Sequence, residues 1–427
     1  MKVLIITYYW PPSGGSGVQR WLKFVKYLPS FGVKPFVFTP QNPSFDLRDE
    51  SLLLDVPDEA EVLHFPIWEP YHLGTKLSPK PKPNVMHGSA SSEGFIKKIV
   101  TWMRGNLLFP DPRIFWVKPS VQFLEAFIRE NSIEILITTG PPHSVHLIGL
   151  GLKKKNNNLK CIADFRDPWS EWGMLLSFKL TSWARSIHRR MEKQVLQKAD
   201  QVVTITPFYV RQLERLSGRQ VDLITNGYDE SDFVDLKFYP TKKFLIRHVG
   251  LVSPACDPKP FLMALKELLL GDTELMESVE INFTGSVNSM VSQFILADEA
   301  LSRVVRFADN VPHQELIKLY GQSNALLLIL TGYKDGEGFL PGKLFEYLAT
   351  GLPIVAIGPV PSDANELLLK CNREEMIASH NVELIKRRIK SSYQDWKLGQ
   401  PVSKPVVADL YSRKQLTFKL VELLKSL

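Results

Sequence analysis

Short apolar runs alternate with amphipathic helical patterns along almost the whole chain, and this alternation limits the fold more than any other feature. The first run, at 2–10, is continuous, as in a strand that is buried on both faces of a parallel sheet. A helical pattern follows it, and the apolar residues of this pattern share one face: Val18, Trp21, Leu22, Val25 and Leu28. Repetition of this strand-then-helix unit predicts an α/β fold with parallel sheets.

The apolar runs form two series, which indicates two domains. The chain, at 427 residues, is also about two to three times as long as a usual single domain. The expected strands are 2–10, 33–40, 134–140, 159–165, 201–206 and 220–227 in the first series, and 243–250, 279–285, 303–309, 324–330 and 352–358 in the second. We place one domain at 1–235 and the other at 236–407, with a linker at 229–240 and a last helix at 408–427.

Composition and charge exclude several classes of protein. Hydrophobic residues make up 44% of the chain and charged residues 23%, which is too apolar for a disordered protein. No run approaches the roughly 20 apolar residues that cross a bilayer, and the first residues lack a signal-peptide pattern. The three cysteines lie far apart, as buried thiols do in a reducing compartment. These features predict a cytoplasmic protein, and the net charge of +7 favours anionic partners.

Two basic stretches, at 95–118 and 178–195, also contain tryptophan and phenylalanine. Aromatic rings beside cations are typical of helices that lie on an anionic membrane, so the stretches predict a peripheral position at its inner face. The alternative is two helices that pack on a sheet and have a solvated basic face. Neither stretch matches a nucleic-acid-binding motif, so nucleic acid is not an expected partner. The cations that we expect to meet lipid are Lys97, Lys98, Arg104, Arg185, Arg189 and Arg190.

A glycine-rich loop joins the first strand to the first helix. Amide groups at such a helix start can hold an anion, and glycine lets a ligand approach closely. A dinucleotide site would need a third glycine where Arg20 stands and an acidic residue at the end of the second strand, and the sequence has neither. A dehydrogenase is therefore disfavoured. The residues of the loop that we expect at the ligand are Gly14, Gly15, Ser16 and Gly17.

A second glycine-bearing loop, at 335–342, leads into a short helix that Gly351 ends. Lys343 and Glu346 are three residues apart, so they share one face of its first turn. This turn combines a cation and free amide groups, which suit a diphosphate, with a carboxylate, which suits ribose hydroxyls. The alternative is a surface ion pair on a capped helix.

Seven stretches, in order over most of the chain, resemble the family-four retaining glycosyltransferases of GT-B fold. The resemblance implies two facing Rossmann-like domains with an inter-domain cleft, the nucleotide-sugar donor in the C-terminal domain and the acceptor in the N-terminal one. It also implies that the helix at 408–427 crosses back to the first domain. The stretches are YYWPPSGGSGVQR, TTGPPHSVHLIGL, ADFRDPW, KADQVVTIT, ITNGYD, VPHQELIKLYGQSNALLLI and PGKLFEYLATGLPIVA.

The resemblance assigns roles to individual residues. Glu346 matches the second Glu of the family's Glu-x7-Glu motif, which binds ribose, and Lys343 matches the lysine before that helix. His143 matches an inter-domain histidine near the reacting sugar; with Glu346 and Lys343 it is an expected catalytic residue. Arg166 and Asp167, which follow Asp164 at the end of a strand, are expected on the acceptor side, where a structural ion pair between them is the alternative. The remaining donor positions are the first glycine loop, Val311 and Leu344.

Two positions depart from the family pattern. Gly338 stands where the first Glu of the motif belongs, and Glu337 is its displaced candidate. Leu251 stands where a phosphate-binding Arg is usual, which leaves Arg247 and Lys259 as candidates for the donor phosphates. A catalytically degenerate partner-binding protein therefore remains an alternative, as does a GT-B nucleotide-sugar epimerase.

The expected activity is a retaining, hexosyltransferase-type glycosyl transfer from a nucleotide-diphosphate sugar to a glycan or lipid-linked acceptor, in surface polysaccharide biosynthesis. The sequence lacks the Asp-x-Asp motif of metal-dependent transferases. We therefore expect no metal and no cofactor, with protein cations and amides stabilising the leaving diphosphate. Retention by front-face attack needs no carboxylate nucleophile, unlike a retaining glycosidase.

Overall fold

The computed structural model describes residues 1–43, 48–69, 95–332, 336–400, 402 and 408–427. The chain divides into two compact units. Of the described residues, unit 1 contains those up to Thr225 together with Arg413–Leu427, and unit 2 contains those from Asn226 to Ser412. The units thus divide after Thr225, whereas the sequence analysis places the boundary after residue 235. Tyr228, just before the expected linker, and Phe233, inside it, pack into a hydrophobic cluster of unit 2.

Unit 1 is built on a parallel sheet whose strands have the order β3-β2-β1-β4-β5-β6-β7. Its strands are β1 (Lys2–Thr7), β2 (Lys34–Pro40), β3 (Glu61–Phe65), β4 (Ile135–Gly140), β5 (Lys160–Phe165), β6 (Gln201–Thr204) and β7 (Asp222–Leu223). Its helices are α1 (Ser16–Tyr27), α2 (Phe95–Leu107), α3 (Ile114–Asn131), α4 (Ser144–Lys155), α5 (Ser182–Lys198), α6 (Pro207–Ser217) and the C-terminal helix (Arg413–Lys425).

One core of unit 1 lies between β1, α1 and the C-terminal helix. The five apolar residues expected on one face of α1 are all buried there, which confirms the predicted face. Leu416, Leu420 and Leu424 of the C-terminal helix are buried in the same core, whereas Leu423 is only partly buried. The C-terminal helix therefore completes the covering of the first sheet, although it lies almost 400 residues after α1 in the sequence.

Unit 2 is built on a smaller parallel sheet with the strand order β10-β9-β8-β11-β12. Its strands are β8 (Phe244–Val249), β9 (Val279–Thr284), β10 (Val305–Ala308), β11 (Ala325–Ile329) and β12 (Ile354–Ile357). Its helices are α7 (Glu230–Phe233), α8 (Lys259–Gly271), α9 (Thr273–Ser278), α10 (Ser289–Leu296), α11 (Glu299–Val304), α12 (His313–Gly321), α13 (Gly342–Thr350), α14 (Asp363–Lys370) and α15 (Val382–Lys397). The predicted α/β class with two parallel sheets is confirmed.

Three local differences from the predicted elements have clear causes. Strand β3 was not expected, because every residue of this edge strand is exposed or only partly buried and its sequence lacks a long apolar run. The run at 220–227 forms only a two-residue strand. The basic stretch at 95–118 is divided between α2 and the start of α3. None of the described helices is long and apolar enough to cross a bilayer.

Candidate functional site

Lys343 is the second residue of α13, and its ammonium group is held at the carboxyl end of β8. Its Nζ lies 3.1 Å from Nε2 of His248 and donates a hydrogen bond to the carbonyl oxygen of Val249, also over 3.1 Å. Binding sites of parallel sheets lie at this edge, where loops and helix starts follow the strands. Lys343, which the sequence predicts as a donor-site cation, therefore lies at this edge of the second sheet.

Burial controls the protonation of this pair. It lowers the pKa of Lys343 to about 8 and, together with the nearby lysine, lowers the pKa of His248 well below its usual range. At neutral pH Lys343 is mostly an ammonium group and His248 is neutral, so Nε2 of His248 accepts from Lys343 and Nδ1 carries the proton. Nδ1 of His248 is buried without a partner among the described residues.

Glu346 lies one turn further along α13 and is oriented by α12. The hydroxyl of Tyr320 donates a 2.7 Å hydrogen bond to Oε2 of Glu346, while Oε1 lies 3.9 Å from Nδ1 of His313. His313 in turn lies 3.1 Å from a carboxylate oxygen of Asp232 through Nε2. The Glu346 side chain is 18% exposed, and of its two oxygens only Oε2 accepts a hydrogen bond from a described residue.

Tyr320 is a dependable donor because burial and the neighbouring Glu346 carboxylate raise its pKa far above the usual value. Its hydroxyl therefore stays protonated at any physiological pH. Lys343 and Glu346 form no ion pair with each other among the described residues; each contacts a different group instead. This turn of α13 therefore does not contain the surface ion pair that the sequence left as an alternative.

The other donor residues expected in unit 2 are dispersed. Arg247 lies inside β8, where Nε donates to Ser323 and Nη1 to Asn282 and Thr284, each over 3.0 Å. Lys259, at the start of α8, is exposed, and its Nζ lies 5.8 Å from the centre of the Phe294 ring.

The loop positions differ in exposure. Val311 is partly exposed, Glu337 is exposed in the turn Gly336–Gly338, and Gly338 is buried. The Leu344 side chain is fully buried in the core, and its amide donates to the carbonyl oxygen of Pro341, so only its backbone borders the helix start. Asp335, at the beginning of the expected loop, lies outside the described residues.

In unit 1, the first glycine loop forms the start of α1. Gly15 is the N-cap residue and has φ of 92°, a conformation that side-chain-bearing residues rarely adopt. The carbonyl oxygen of Gly17 accepts a 2.7 Å hydrogen bond from Nη1 of Arg166, and a Cβ atom at Gly17 would lie only 3.0 Å from that nitrogen. The fold of the loop therefore accounts for glycine at both positions, at the carboxyl edge of the first sheet. Gly14 precedes them and is partly exposed, and the side chain of Ser16 is outside the described part.

Arg166 connects backbone segments of this edge. Besides Gly17, its guanidinium donates to the carbonyl oxygens of Gly140 and Pro141 over 3.2 and 2.6 Å. The nearby carboxylate of Asp167, which is partly exposed, favours the charged form of Arg166. The three carbonyl partners give Arg166 a positioning role for the glycine loop and the 140–142 turn.

Arg20 stands where a dinucleotide-binding loop would have its third glycine, and it forms a buried ion pair with Asp164. The Asp164 carboxylate accepts from Nε and Nη2 of Arg20, from the Trp21 indole and from the Thr139 hydroxyl. Burial alone would raise the pKa of Asp164, but the Arg20 ion pair and these hydrogen bonds outweigh it and lower the pKa. This carboxylate is fully buried and already accepts four hydrogen bonds, so it holds α1 on the sheet and is not exposed to a ligand.

His143 is the N-cap residue of α4 and stacks on Trp169, with ring centres 4.9 Å apart and planes 4° from parallel. Its carbonyl oxygen accepts from the amide of His146. Both ring nitrogens are buried and lack a partner among the described residues. Burial, followed by the neighbouring His146, lowers the pKa of His143 well below its usual range, so the ring is neutral at pH 7.

The sequence analysis missed the residues that hold Trp169 in place. The indole of Trp169 donates to Nδ1 of His188 over 3.0 Å, and Glu192 accepts from the amides of Trp169 and Ser170 over 3.2 and 3.0 Å. His188 and Glu192 lie on the buried face of α5, four residues apart. The spacing of four residues is present in the sequence, but the prediction for this helix was based on its many cations.

A buried ionic cluster lies at the same edge of unit 1 and was also missed. Nε of Arg113 lies 2.8 Å from Oε1 of Glu69, and the Tyr8 hydroxyl donates to Oε2 over 2.9 Å. Asp111 accepts from the amides of Arg113 and Ser144, which links the cluster to the start of α4. No local pattern connects residues that are so far apart in the sequence.

Two cavities differ in their relation to these residues. One of about 280 Å³ lies in unit 1 at the carboxyl ends of β1 to β3, and its lining includes Trp10, Gln41, Asn42 and His64. The other, of about 410 Å³, lies in unit 2 beside Asn324 and Pro353, at the amino ends of β11 and β12. Its described lining includes none of the expected donor residues, so the larger cavity is on the wrong edge for a parallel-sheet site.

Solved structures with similar folds span the entire chain. A glycosyltransferase from Rickettsia africae superposes with a TM-score of 0.65 at 13% identity, covering 100% of this chain and 98% of that one. A sucrose-phosphate synthase from Thermosynechococcus elongatus gives 0.60 at 12% identity, with 100% and 98% coverage. A UDP-GlcNAc 2-epimerase from Neisseria meningitidis gives 0.55 at 12% identity, with 100% of both chains covered.

At these identities the likeness establishes the fold alone. No protein-family model matches the chain, and no curated protein matches its sequence. The two parallel-sheet Rossmann-like domains and the full-length superpositions confirm the GT-B fold that the resemblance implies.

Proposed function

We propose that this chain is a retaining glycosyltransferase that moves a sugar from a nucleotide-diphosphate sugar to a glycan or lipid-linked acceptor, in surface polysaccharide biosynthesis. Unit 2 binds the donor and unit 1 the acceptor. The observation that carries the proposal is the first half of α13, which combines a partly exposed carboxylate with a cation at the carboxyl edge of the sheet. A nucleotide diphosphate has ribose hydroxyl groups that can donate to the carboxylate and phosphate oxygens that can bind the cation.

Glu346 is suited to bind the donor ribose. Tyr320 fixes one carboxylate oxygen, which leaves the other to accept hydrogen bonds from ribose hydroxyls. His313, held by Asp232, limits the movement of the free oxygen on the far side. The carboxylate is thus oriented before the ligand arrives, which reduces the entropy lost on binding.

Lys343 is suited to stabilise the departing diphosphate. Its ammonium group already donates to Val249 and His248, so it is fixed near the start of α13, where the helix dipole also favours negative charge. Charge that develops on the leaving oxygens is best stabilised by such preorganised groups. We propose that these groups replace a metal ion, in agreement with the lack of an Asp-x-Asp motif.

The acceptor side rests on His143 and on the cavity of about 280 Å³ in unit 1. The cavity adjoins the strand that leads to the glycine loop, and its Gln41 and His64 side chains offer hydrogen-bonding groups for sugar hydroxyls, whereas Asn42 is already paired with the backbone of Ile67. His143 is neutral and stacks rigidly on Trp169, and because both of its ring nitrogens are buried, it contributes to this side through its place at the start of α4 and not through an accessible ring nitrogen. Arg166 positions the backbone around both features.

The direct test is a panel of UDP-, GDP- and ADP-sugars, screened by thermal shift and then by product analysis in the presence of EDTA. We expect at least one nucleotide sugar to stabilise the protein and to release its nucleoside diphosphate without added metal. Failure of every nucleotide sugar to bind would refute the proposal. Turnover that EDTA abolishes and Mg²⁺ restores would refute the metal-independent part.

A nucleotide-sugar epimerase is the second candidate, because a UDP-GlcNAc 2-epimerase shares the fold over the full chain. An epimerase would use the same donor half of the molecule but would need no second sugar. Mass spectrometry and NMR of the reaction with UDP-GlcNAc distinguish the two. An isomerised sugar without transfer to an acceptor assigns the epimerase, and binding of a nucleotide sugar from the panel without isomerisation, hydrolysis or transfer to any acceptor assigns the degenerate partner-binding protein.

A further inference from the structure

The cavity of about 410 Å³ in unit 2 is not accounted for by the proposed activity. It lies at the amino ends of β11 and β12, whereas Lys343 lies at the carboxyl end of β8, and β8 runs parallel to β11. The cavity is therefore on the opposite edge of the sheet from the donor residues. Its volume falls within the range of roughly 300–1,000 Å³ that small-molecule sites have, so it is large enough for a ligand of its own.

Two helices end at this cavity in the same way, and their ends fix part of its rim. Gly399, after α15, has φ of 63°, and Asn372, after α14, has φ of 51°. In each case the next amide, of Gln400 or of Arg373, donates to the carbonyl oxygen five residues earlier over 2.9 Å. A left-handed residue with this hydrogen bond is a Schellman ending. The lining residues of both segments are therefore held by closed helix ends.

A further wall contains Phe238 and Tyr239, which lie against the end of α12. The amide of Tyr239 donates to the carbonyl oxygen of Gly321 over 3.0 Å. A Cβ atom at Gly321 would overlap with the carbonyl oxygen of Lys237, so only glycine allows this close approach. Phe238 is 41% exposed and Tyr239 is 57% exposed, and the partly exposed Trp396 also lines the cavity. The cavity thus presents aromatic surface on a fixed backbone.

Asn324 lines the cavity with a side-chain amide of fixed orientation. Its Oδ1 accepts from the backbone amide of Leu245 and from the Thr241 hydroxyl, each over 2.8 Å. Because a backbone amide can only donate, the side-chain oxygen must lie on this side, and the NH₂ group lies on the other. Nδ2 of Asn324 donates to no residue in the described part of the chain. Asn324 therefore offers a preoriented donor.

Other lining side chains add hydrogen-bonding groups of both kinds. Asp395 is exposed and forms no ion pair with a described residue. Within the same described part, the Trp396 indole and the side-chain amides of Asn372 and Gln400 form no hydrogen bond. A carboxylate accepts, an indole N–H donates, and an amide does both. Such groups beside aromatic rings suit a sugar, whose C–H face packs on a ring while its hydroxyls donate and accept.

The charges around the cavity favour a neutral ligand. Helices α13, α14 and α15 all end there, and a helix C-terminus carries partial negative charge. Among the charged lining residues, Glu374 forms an ion pair with Arg388, and Arg373 and Asp395 have opposite signs. A phosphate group would meet Asp395 and the helix ends, and a cation would meet Arg373. A nucleotide is therefore a poor fit, and an uncharged polyhydroxyl compound is a good one.

We propose that this cavity is a second binding site, for a neutral saccharide, separate from the donor site at α13. Phe238 and Tyr239 pack on the C–H face of a sugar ring, while Nδ2 of Asn324 and the Asp395 carboxylate bind its hydroxyl groups. All of these residues belong to unit 2. The proposal does not depend on the proposed glycosyl transfer, and its test contains no nucleotide.

The test is saturation-transfer difference NMR of the full chain with glucose, galactose, mannose, N-acetylglucosamine, maltotriose and cellotriose, followed by calorimetric titration of each sugar that gives a signal. The variant Y239A/D395A removes one ring and one carboxylate; both are exposed, so we expect the circular dichroism spectrum of the wild type. The matched control F307A/E299A removes an exposed ring and carboxylate on and beside β10, the opposite edge strand of the sheet. We expect Y239A/D395A to bind at least tenfold more weakly and the control to bind within about twofold of the wild type.

The variant N324D tests the amide donor separately. It keeps the oxygen that Leu245 and Thr241 bind and replaces Nδ2 with an oxygen that cannot donate, so it should also weaken sugar binding. Absence of a signal from every sugar, equal affinity of Y239A/D395A and wild type, or an equal loss in the control would overturn the proposal. Binding of uridine or guanosine that Y239A/D395A abolishes, with no sugar bound, would assign the cavity to a nucleoside instead.

Discussion

Lys343 and Glu346 illustrate how two charges on one helical turn can serve different tasks. They are close enough to influence each other, yet the ammonium group contacts His248 and Val249 whereas the carboxylate contacts Tyr320. A direct ion pair would neutralise both before a ligand arrived. Held apart by neutral partners, each keeps unsatisfied capacity, and this is what a binding site requires.

The lowered pKa of Lys343 makes a prediction about nucleotide binding. Because its pKa is about 8 in the free protein, the fraction of ammonium form falls as the pH rises through that value. Phosphate favours the ammonium form, so the affinity for a nucleoside diphosphate should decrease above pH 8 by up to about tenfold per pH unit. Isothermal titration calorimetry between pH 7 and 9.5 measures this.

The variant K343M should bind the nucleotide weakly, with little pH dependence over the same range. The control K318M removes an exposed lysine that is paired with Glu315, and it should behave like the wild type. An identical pH profile in K343M and wild type would remove Lys343 from the phosphate site.

At the scale of elements, α5 shows how one helix can connect two surfaces. Its outer face carries the exposed arginines, and its inner face carries His188 and Glu192, which hold the loop at Trp169 beside His143. Burial raises the pKa of Glu192, so its charged form is costly. That form is stabilised by the hydrogen bonds that Glu192 accepts from two backbone amides. The rigid stacking of His143 therefore originates in a helix that is remote in sequence.

The C-terminal helix belongs to the core of unit 1, so substitutions in it should affect stability according to burial. Leu420 is buried against the α1 core, and Leu420→Ala should lower the free energy of unfolding by about 2–5 kcal/mol. Lys419, its exposed neighbour, is the matched control: Lys419→Ala should change it by less than about 0.5 kcal/mol. Urea unfolding measures both. Equal effects of the two substitutions would show that the helix is not part of this core.

Elements with strong patterns could be predicted from the sequence, and elements that depend on tertiary packing could not. The buried strands and the inner face of α1 follow from apolar runs and helical spacing, as does the presence of Lys343 and Glu346 on one turn. Tyr320 and His248 reach that turn from a different helix and a different strand, so no local pattern reveals them.

For α2 the sequence left two alternatives open, an outward apolar side or a packed one, because an amphipathic pattern does not say which side is covered; in the structure Val100 and Leu107 are exposed. The side chains of Lys97 and Lys98, which we expect to meet lipid, lie outside the described part.

At the scale of the whole molecule, several histidines are buried without charge. Burial lowers the pKa of His146 to about 3 and lowers those of His143 and His248 well below the usual range. In the unfolded chain each titrates near pH 6.5. The unfolded state therefore binds more protons than the folded state below that pH, and stability is lost as the pH falls.

We expect the free energy of unfolding to be lower at pH 5.5 than at pH 7.5, by roughly 1.4 kcal/mol for each of these three histidines. Glu192, whose pKa is raised, acts in the opposite direction and offsets part of the loss. Urea unfolding at the two pH values measures the difference, and His146→Gln should reduce it by one histidine's share. A stability that is unchanged or higher at pH 5.5 would contradict the assignment of neutral buried rings.

The central claim is that unit 2 binds a nucleotide-diphosphate sugar through Glu346, without a metal ion. Calorimetric titration of the nucleotide sugar that the panel identifies, into wild type and Glu346→Gln in the presence of EDTA, tests it most directly. Loss of a charge-assisted hydrogen bond to ribose should weaken binding by about 1.5–3 kcal/mol, roughly 10-fold to 150-fold. The control Glu315→Gln, at an exposed carboxylate on α12, should bind like the wild type. Equal affinity of Glu346→Gln and wild type, or binding that EDTA abolishes, would contradict the claim.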